Sequence, residues 1–235
     1  MRSFVAFAGL LAACLASTAC GTKSAAPPPA TTTRPTTTTA PAPPAFPTTV
    51  ETTASCTPAA RHTYPTRRYI NNHLKLDVKE VKLLFTTNCG QFVVTIDKKT
   101  SPRAASSFVS LAQRGFYDDT FFHRIVPGFV IQGGDPTGTG SGGPAYQTHD
   151  KVPKTVAYTY GVVAMAKAPT EPAGTAGSQF FIVTVRNANL PPDYAVVGKV
   201  TSGFATVNLI GTLGNAQQQP TRNVVISKVT LGIKK

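Results

Sequence analysis

The twenty prolines of this 235-residue chain are unevenly placed: they crowd between about Ala25 and Pro58, in runs such as Pro27-Pro28-Pro29 and Pro41-Ala42-Pro43-Pro44. Proline fixes φ, lacks a backbone donor and pushes the residue before it into extended conformations. A stretch so dense in it, interleaved with Thr36-Thr37-Thr38-Thr39, closes neither a helix nor a sheet, and it holds almost no apolar side chain able to join a core. Residues 21–58 therefore read as a disordered, semi-stiff linker. Length alone allows one domain with an appendage or two small domains; this asymmetry selects a tail plus one domain. Residues 59–80 are its N-terminal extension and 81–235 its glycine-punctuated, apolar body.

Before the linker, Met1-Arg2-Ser3 and the apolar run Phe4 to Ala16 have the charged start and short apolar stretch of an export signal. The run is too short to span a bilayer as a stable helix. Ser17-Thr18-Ala19-Cys20 places small residues before a cysteine, as in a bacterial lipobox, where the cysteine is lipidated and becomes the mature N-terminus. Leu11-Ala12-Ala13-Cys14 is the better literal match, but it leaves a shorter apolar stretch and an apolar Leu15-Ala16 start, whereas polar residues follow Cys20 at once. The expectation is a signal peptide over 1–20, lipidation at Cys20 with Cys14 as the alternative, and an extracytoplasmic protein anchored to the cell membrane. Cys56 and Cys89 remain, and an even pair in an exported chain reads as a disulfide.

The formal charge of +13 suits contact with anionic envelope surfaces. The basic residues are scattered, with no reader helix or aromatic stacking motif, which argues against nucleic acid as a partner. His62, His73 and His149 have no metal-ligand spacing with one another or with the cysteines, so no metal is expected. Gly138-Thr139-Gly140-Ser141-Gly142-Gly143 lacks the Lys-Ser/Thr and helix start of a nucleotide-binding loop and reads instead as a flexible rim.

Within the body, Val81 to Thr87 and Gly90 to Asp97 are β-type runs around Asn88-Cys89-Gly90, the pattern of a hairpin. A helix follows. Ser101 is placed to cap it, Pro102 suits its first position, Ala105, Phe108, Val109 and Ala112 recur at helical spacing, and Gly115 ends the pattern. Further short strands are expected over 121–125, 129–132, 161–165, 179–184, 195–200 and 224–231, with a second helix over 205–213. Many short strands and two helices imply a mainly β barrel or sandwich rather than a parallel sheet.

The most informative stretch runs from Phe122-His123-Arg124-Ile125-Val126-Pro127-Gly128-Phe129 through Val130-Ile131-Gln132-Gly133-Gly134-Asp135. After it come Gly161-Val162-Val163-Ala164-Met165-Ala166, Gly177-Ser178-Gln179-Phe180-Phe181-Ile182-Val183-Thr184 and Tyr194-Ala195-Val196-Val197-Gly198-Lys199-Val200. These blocks, in this order and spacing, resemble the signatures of the cyclophilin family over about residues 81 to 232. Together with the leader, they resemble the exported bacterial lipoprotein form of that family. The resemblance implies a closed eight-stranded antiparallel β-barrel capped by two α-helices. It also implies peptidyl-prolyl cis-trans isomerase activity on X-Pro bonds, without a cofactor.

Rotation about a peptide C–N bond faces a barrier of about 18 to 20 kcal/mol because resonance makes the bond partly double. Uncatalysed X-Pro exchange takes tens to hundreds of seconds, so a turnover near ~10 per second requires roughly three decades, or about 4 kcal/mol. A few aimed hydrogen bonds suffice. By resemblance, Arg124 donates to the prolyl nitrogen as its lone pair localises, and Gln132 orients Arg124 and the substrate backbone. Phe129, Val130, Phe181 and Leu190 form the proline pocket, Ala166 and Gln179 line the adjoining groove, and Tyr194 offers a hydroxyl to the substrate carbonyl. Val130 stands where methionine is common in the family, Tyr194 where many members carry histidine, and His123 reads as structural rather than as a proton shuttle. Asn189 falls where some members have a tryptophan that helps bind cyclosporin-type cyclic undecapeptides, so sensitivity to them is not implied. The expected partners are proline-containing peptides and unfolded exported proteins, met by a monomer on its lipid anchor. The alternative is a non-catalytic proline-peptide-binding chaperone or scaffold on the cell surface.

Overall fold

The computed structural model describes Val50, residues 55–64 and residues 76–234. The export signal, both lipidation candidates and most of the linker lie outside the described residues. The elements in chain order are β1 (Glu80–Thr87), β2 (Gly90–Ile96), α1 (Pro102–Gln113), β3 (Thr120–Phe121), β4 (Arg124–Val126), β5 (Val130–Gly133), β6 (Thr148–His149) and β7 (Val162–Met165). They continue with β8 (Thr175–Ala176), β9 (Phe180–Val183), β10 (Val196–Ser202), α2 (Phe204–Gly211) and β11 (Val225–Lys234). Nine strands form one sheet in the order β3-β11-β1-β2-β10-β7-β9-β5-β4, antiparallel at every pairing, and β6 and β8 form a separate two-stranded ladder.

The closed eight-stranded barrel is therefore corrected: the sheet is an open, curled one of nine strands. The opening runs through the segment expected as a single strand over 121–125. There the chain breaks at Phe122-His123 into β3, which pairs only with β11, and β4, which pairs only with β5, so the two halves become the two edges of the sheet. The amides that a closing ladder would use are engaged elsewhere. Phe122 donates to the Val224 carbonyl at 3.0 Å and Ile125 to the Gln218 carbonyl at 2.9 Å. The segment thus runs on beside the 218–226 loop.

Several strands read as continuous apolar runs because both faces are buried. Phe180 and Ile182 of β9 face the main core, with Phe85, Phe92, Phe108, Ile131, Val163 and Met165. Phe181 and Val183, the alternate residues, face a second apolar cluster with Val130, Val162 and Ala164. The two-residue period of a strand thus splits one sequence run between core and outer face. The main core is aromatic: Phe85 stacks on Phe92 at 4.9 Å, and Phe180 meets the edges of Phe108 and Tyr117 at 5.3 and 5.7 Å.

Helix α1 buries the expected Ala105, Phe108, Val109 and Ala112, but its cap differs from the expectation. Ser101 makes no side-chain cap bond, and its hydroxyl is buried without a partner. Asp150, from a distant loop, takes that place and accepts from the amides of Arg103 at 3.1 Å and Ala104 at 2.8 Å. A carboxylate there satisfies two of the orphan donors of a helix N-terminus and complements its dipole.

Residues 55–64 lie along the domain. Cys56 is bonded to Cys89 in the β1–β2 turn, at 2.01 Å between sulfurs. The Thr57 amide donates to the Asn88 carbonyl, Asn223 Nδ2 to the Ala59 carbonyl and the Tyr64 amide to the Pro136 carbonyl. Arg61 stands over the Phe121 ring at 4.6 Å.

Candidate active site

On the outer face, register alone brings the polar site residues together. Arg124 of β4 is paired with Gln132 of β5, Gln132 with Phe181 of β9, and Phe181 with Ala164 of β7. Directly paired residues project to the same face, about 4.5 to 5.5 Å apart, so Arg124, Gln132 and Phe181 form one row.

The side chains of that row are linked. Arg124 Nη1 donates to Gln132 Oε1 at 3.2 Å, and Gln132 Nε2 donates to Gln179 Oε1 at 3.1 Å. Gln179 Nε2 donates in turn to the carbonyls of Gly140 and Gly142 at 2.9 and 3.0 Å. On its other side, Arg124 Nε donates to Gln218 Oε1 at 2.8 Å. A guanidinium has five N–H donors in a rigid fork; these bonds engage part of it and leave the rest to face solvent or a bound peptide. Each amide also accepts from one neighbour and donates to the next, which fixes the direction of the relay.

The apolar part of the site is continuous with this row. Val130 and Phe181 are buried at 2 % and 5 % exposure, and Phe129, Ala166, Leu190 and Tyr194 pack against their cluster while half-buried. Phe129 is fixed through its main chain: its amide donates to the Val126 carbonyl and its carbonyl accepts from the Thr184 amide. Ala166 donates to the Gln179 carbonyl at 2.8 Å, so its own carbonyl is the backbone group it can offer to a ligand. Tyr194 meets Phe181 edge-on at 5.4 Å, with Lys167 Nζ 5.6 Å from the ring centre. The structure thus gathers Arg124, Gln132, Phe129, Val130, Ala166, Gln179, Phe181, Leu190 and Tyr194 on one face. Asn189, with φ of +50°, bonds its amide to Asn187 Oδ1.

Two structural contributors were not foreseen. Tyr158 donates its hydroxyl to the Tyr194 carbonyl at 2.8 Å and accepts from the Tyr194 amide at 2.8 Å, and its ring lies 6.4 Å from Phe181. Burial, opposed by the bond to Tyr194, pushes its phenol up to about 12. Its sequence context, Val156-Ala157-Tyr158-Thr159-Tyr160, does not set it apart from its neighbour Tyr160. The second is Asp135, fully buried, whose carboxylate organises the glycine-rich loop. It accepts from the Thr137 amide and hydroxyl at 2.7 and 2.8 Å, and from the amides of Gly140 and Gly142 at 2.6 and 3.2 Å. Burial works to raise its pKa, but those hydrogen bonds outweigh burial and hold it below the usual value. Only glycine fits at 142, because a Cβ there would collide with the Asp135 carboxylate. The loop expected as a flexible rim is thus hydrogen-bonded from within, and it presents the two carbonyls that Gln179 holds.

Beside the apolar floor, a groove of about 860 Å³ is bounded by Gln132, Gln179, Ala166, Lys167, Glu171 and Tyr146. His123, next to Arg124, is half-buried, with its Nδ1 buried and unpartnered; burial lowers its pKa, keeping it neutral at pH 7. Among the described residues, no group of three His, Cys, Asp or Glu converges to hold a metal ion.

Residues 82–231 match the sequence model of the family described as cyclophilin type peptidyl-prolyl cis-trans isomerase/CLD. The chain is similar to the human peptidyl-prolyl cis-trans isomerase-like 1, with 38% identity over 147 residues covering 60% of this chain and 87% of the relative. A peptidyl-prolyl cis-trans isomerase of Arabidopsis thaliana is 38% identical over 131 residues, 54% of this chain and 78% of the relative. Among solved structures, it resembles a cyclophilin type peptidyl-prolyl cis-trans isomerase of Cryptosporidium parvum, solved in the presence of the dipeptide Ala-Pro. The TM-score is 0.60 at 32% identity, over 64% of this chain and 98% of the other.

Proposed function

This chain belongs to the cyclophilin-type peptidyl-prolyl cis-trans isomerase family, and we propose that Arg124 carries its catalysis of X-Pro rotation. The observation that supports this most directly is the Arg124 guanidinium, held between Gln218 and Gln132 in register with the apolar floor around Phe181. A proline ring seated against Phe129, Val130, Phe181 and Leu190 brings its nitrogen to the polar row. As the amide twists, the nitrogen lone pair leaves resonance with the carbonyl and becomes a hydrogen-bond acceptor. An Arg124 N–H donated to it strengthens only in the twisted state and so lowers the barrier rather than the ground state. Gln132 holds the guanidinium plane, Gln179 and the Ala166 carbonyl align the peptide backbone, and Tyr194 closes the floor. No bond to the substrate forms and no proton is transferred.

Turnover of an X-Pro test peptide tests the assignment. Arg124→Ala should lower kcat by about a hundredfold or more and leave peptide affinity within a few fold. Phe181→Ala should mainly raise KM. Full turnover in Arg124→Ala would overturn the mechanism, and peptide binding without turnover by the unaltered protein would favour the scaffold reading.

We also propose that the clients are proline-containing exported proteins, and that the enzyme meets them outside the cytoplasm as a monomer on a lipid anchor at Cys20. The charged start, the apolar run Phe4 to Ala16, the small residues before Cys20 and the proline-rich tether support this reading. So does the Cys56–Cys89 disulfide, a bond that persists in oxidising compartments. Intact-mass measurement of membrane-extracted protein decides it: a diacylglyceryl adduct on a chain starting at Cys20 is expected. A chain with neither Cys20 nor Cys14 modified would contradict it.

A further inference from the structure

Gln218 grips Arg124 from the side opposite Gln132, and it does so from a backbone conformation that L-residues avoid. Its φ is +63°, in the left-handed region. The surrounding loop, Gly214 to Pro220, is built to hold it there. The Gln218 amide donates to the Asn215 carbonyl at 2.9 Å, and the Asn215 amide donates to the Gln219 carbonyl at 2.9 Å. Asn215 Oδ1 accepts from the amides of Gln217 and Gln219 at 3.0 and 2.9 Å. A bridge between Gly214 and Pro220 closes the base. The result is a two-point hold on β4: the Gln218 carbonyl accepts from the Ile125 amide at 2.9 Å, and its Oε1 accepts from Arg124 Nε at 2.8 Å.

Gln218 is exposed and joins no apolar cluster, so packing does not account for a non-glycine residue in this conformation. Strain kept where the surrounding structure over-determines it points to function. We infer that Gln218 is a positioning residue for the isomerase reaction: by accepting the Nε–H it fixes the rotation of the guanidinium, so that the fork leans on Gln132 through one Nη and presents its remaining N–H groups to the prolyl nitrogen. With Gln132 alone, the fork could pivot about a single bond; with both amides it cannot. The inference rests on Arg124 being the catalytic donor, as proposed above.

Two substitutions separate positioning from mere loop structure. Gln218→Gly removes the acceptor and also relieves the left-handed strain, so it should hold or raise Tm while lowering kcat about tenfold with KM within twofold. Gln218→Glu keeps an oxygen acceptor at the same reach and should retain kcat within about threefold. A readout independent of turnover is the Arg124 Nε–H resonance, measured by 15N NMR on the full chain: slowly exchanging in the unaltered protein and in Gln218→Glu, broadened and fast in Gln218→Gly. Unchanged kcat in Gln218→Gly beside an inactive Arg124→Ala would overturn the inference and leave the Arg124 mechanism standing. A kcat loss that follows a fall in Tm, Gln218→Glu as impaired as Gln218→Gly, or an Nε–H signal indifferent to Gln218→Gly would each overturn it as well. If Gln218→Gly alters the signal as expected but Arg124→Ala still turns over normally, the grip stands and the catalytic reading fails.

Discussion

His123, the neighbour of Arg124, has its pKa lowered by burial and is neutral at pH 7 and above. The proposed chemistry moves no proton, so kcat/KM for a neutral X-Pro peptide should be flat from about pH 7 to pH 9, where His123 stays neutral. A bell-shaped profile in that window would point to an acid–base step. Tyr158 makes a different prediction. Tyr158→Phe removes both bonds to the half-buried Tyr194 main chain, at a cost of about 1 kcal/mol. Because that loop carries Leu190 and Tyr194 rather than the donor, KM should rise about tenfold with kcat little changed, measurable by titrating peptide in the turnover assay. The residues of the site were legible because they sit in long motifs. Tyr158 and Gln218 were not, because each acts through a partner far along the chain, Tyr194 and Arg124, which spacing does not reveal.

Helix α1 was readable from its apolar spacing, and the β1–β2 hairpin from two β-type runs about a short turn, since both are local signals. The cap on α1 was not, because Asp150 is 46 residues from the Ala104 amide it accepts. Asp150→Ala should therefore destabilise the domain by about 1–2 kcal/mol, whereas Ser101→Ala should have little effect, as thermal unfolding of the two variants will check. The two-residue strands β6 and β8 are too short to leave a periodic trace, and the break of 121–125 into β3 and β4 depends on amides bonded to a loop a hundred residues away. The Asp135 loop adds a pH dependence. Its folded pKa lies below 3.8, so its contribution is complete above that value and is lost as pH falls through the lowered one. Tm should accordingly fall more steeply below pH 4 in the unaltered protein than in Asp135→Asn, which should start lower at pH 7.

Seen whole, the domain is a sheet that does not close, and residues 55–64 run from the Cys89 turn past the β3 edge to the glycine-rich loop at Pro136. The bond from Cys56 to Cys89 closes 33 residues, a loop worth roughly 3 to 4 kcal/mol in the chain-entropy account. Reduction, or Cys56→Ser with Cys89→Ser, should lower the urea midpoint accordingly; an unchanged midpoint would mean the strap adds nothing. The overall β character and the family were legible from motifs in order, but closure of the sheet was not, since it turns on where a few edge amides find acceptors. In the proposed mechanism, a guanidinium fixed between two amides weakens X-Pro resonance. The most direct test is two-dimensional NMR exchange at equilibrium on an Ala-Pro-containing peptide with a catalytic amount of the protein. Cis–trans cross-peaks should disappear with Arg124→Ala while peptide line broadening shows binding intact; cross-peaks of equal strength in both proteins would rule out the arginine mechanism.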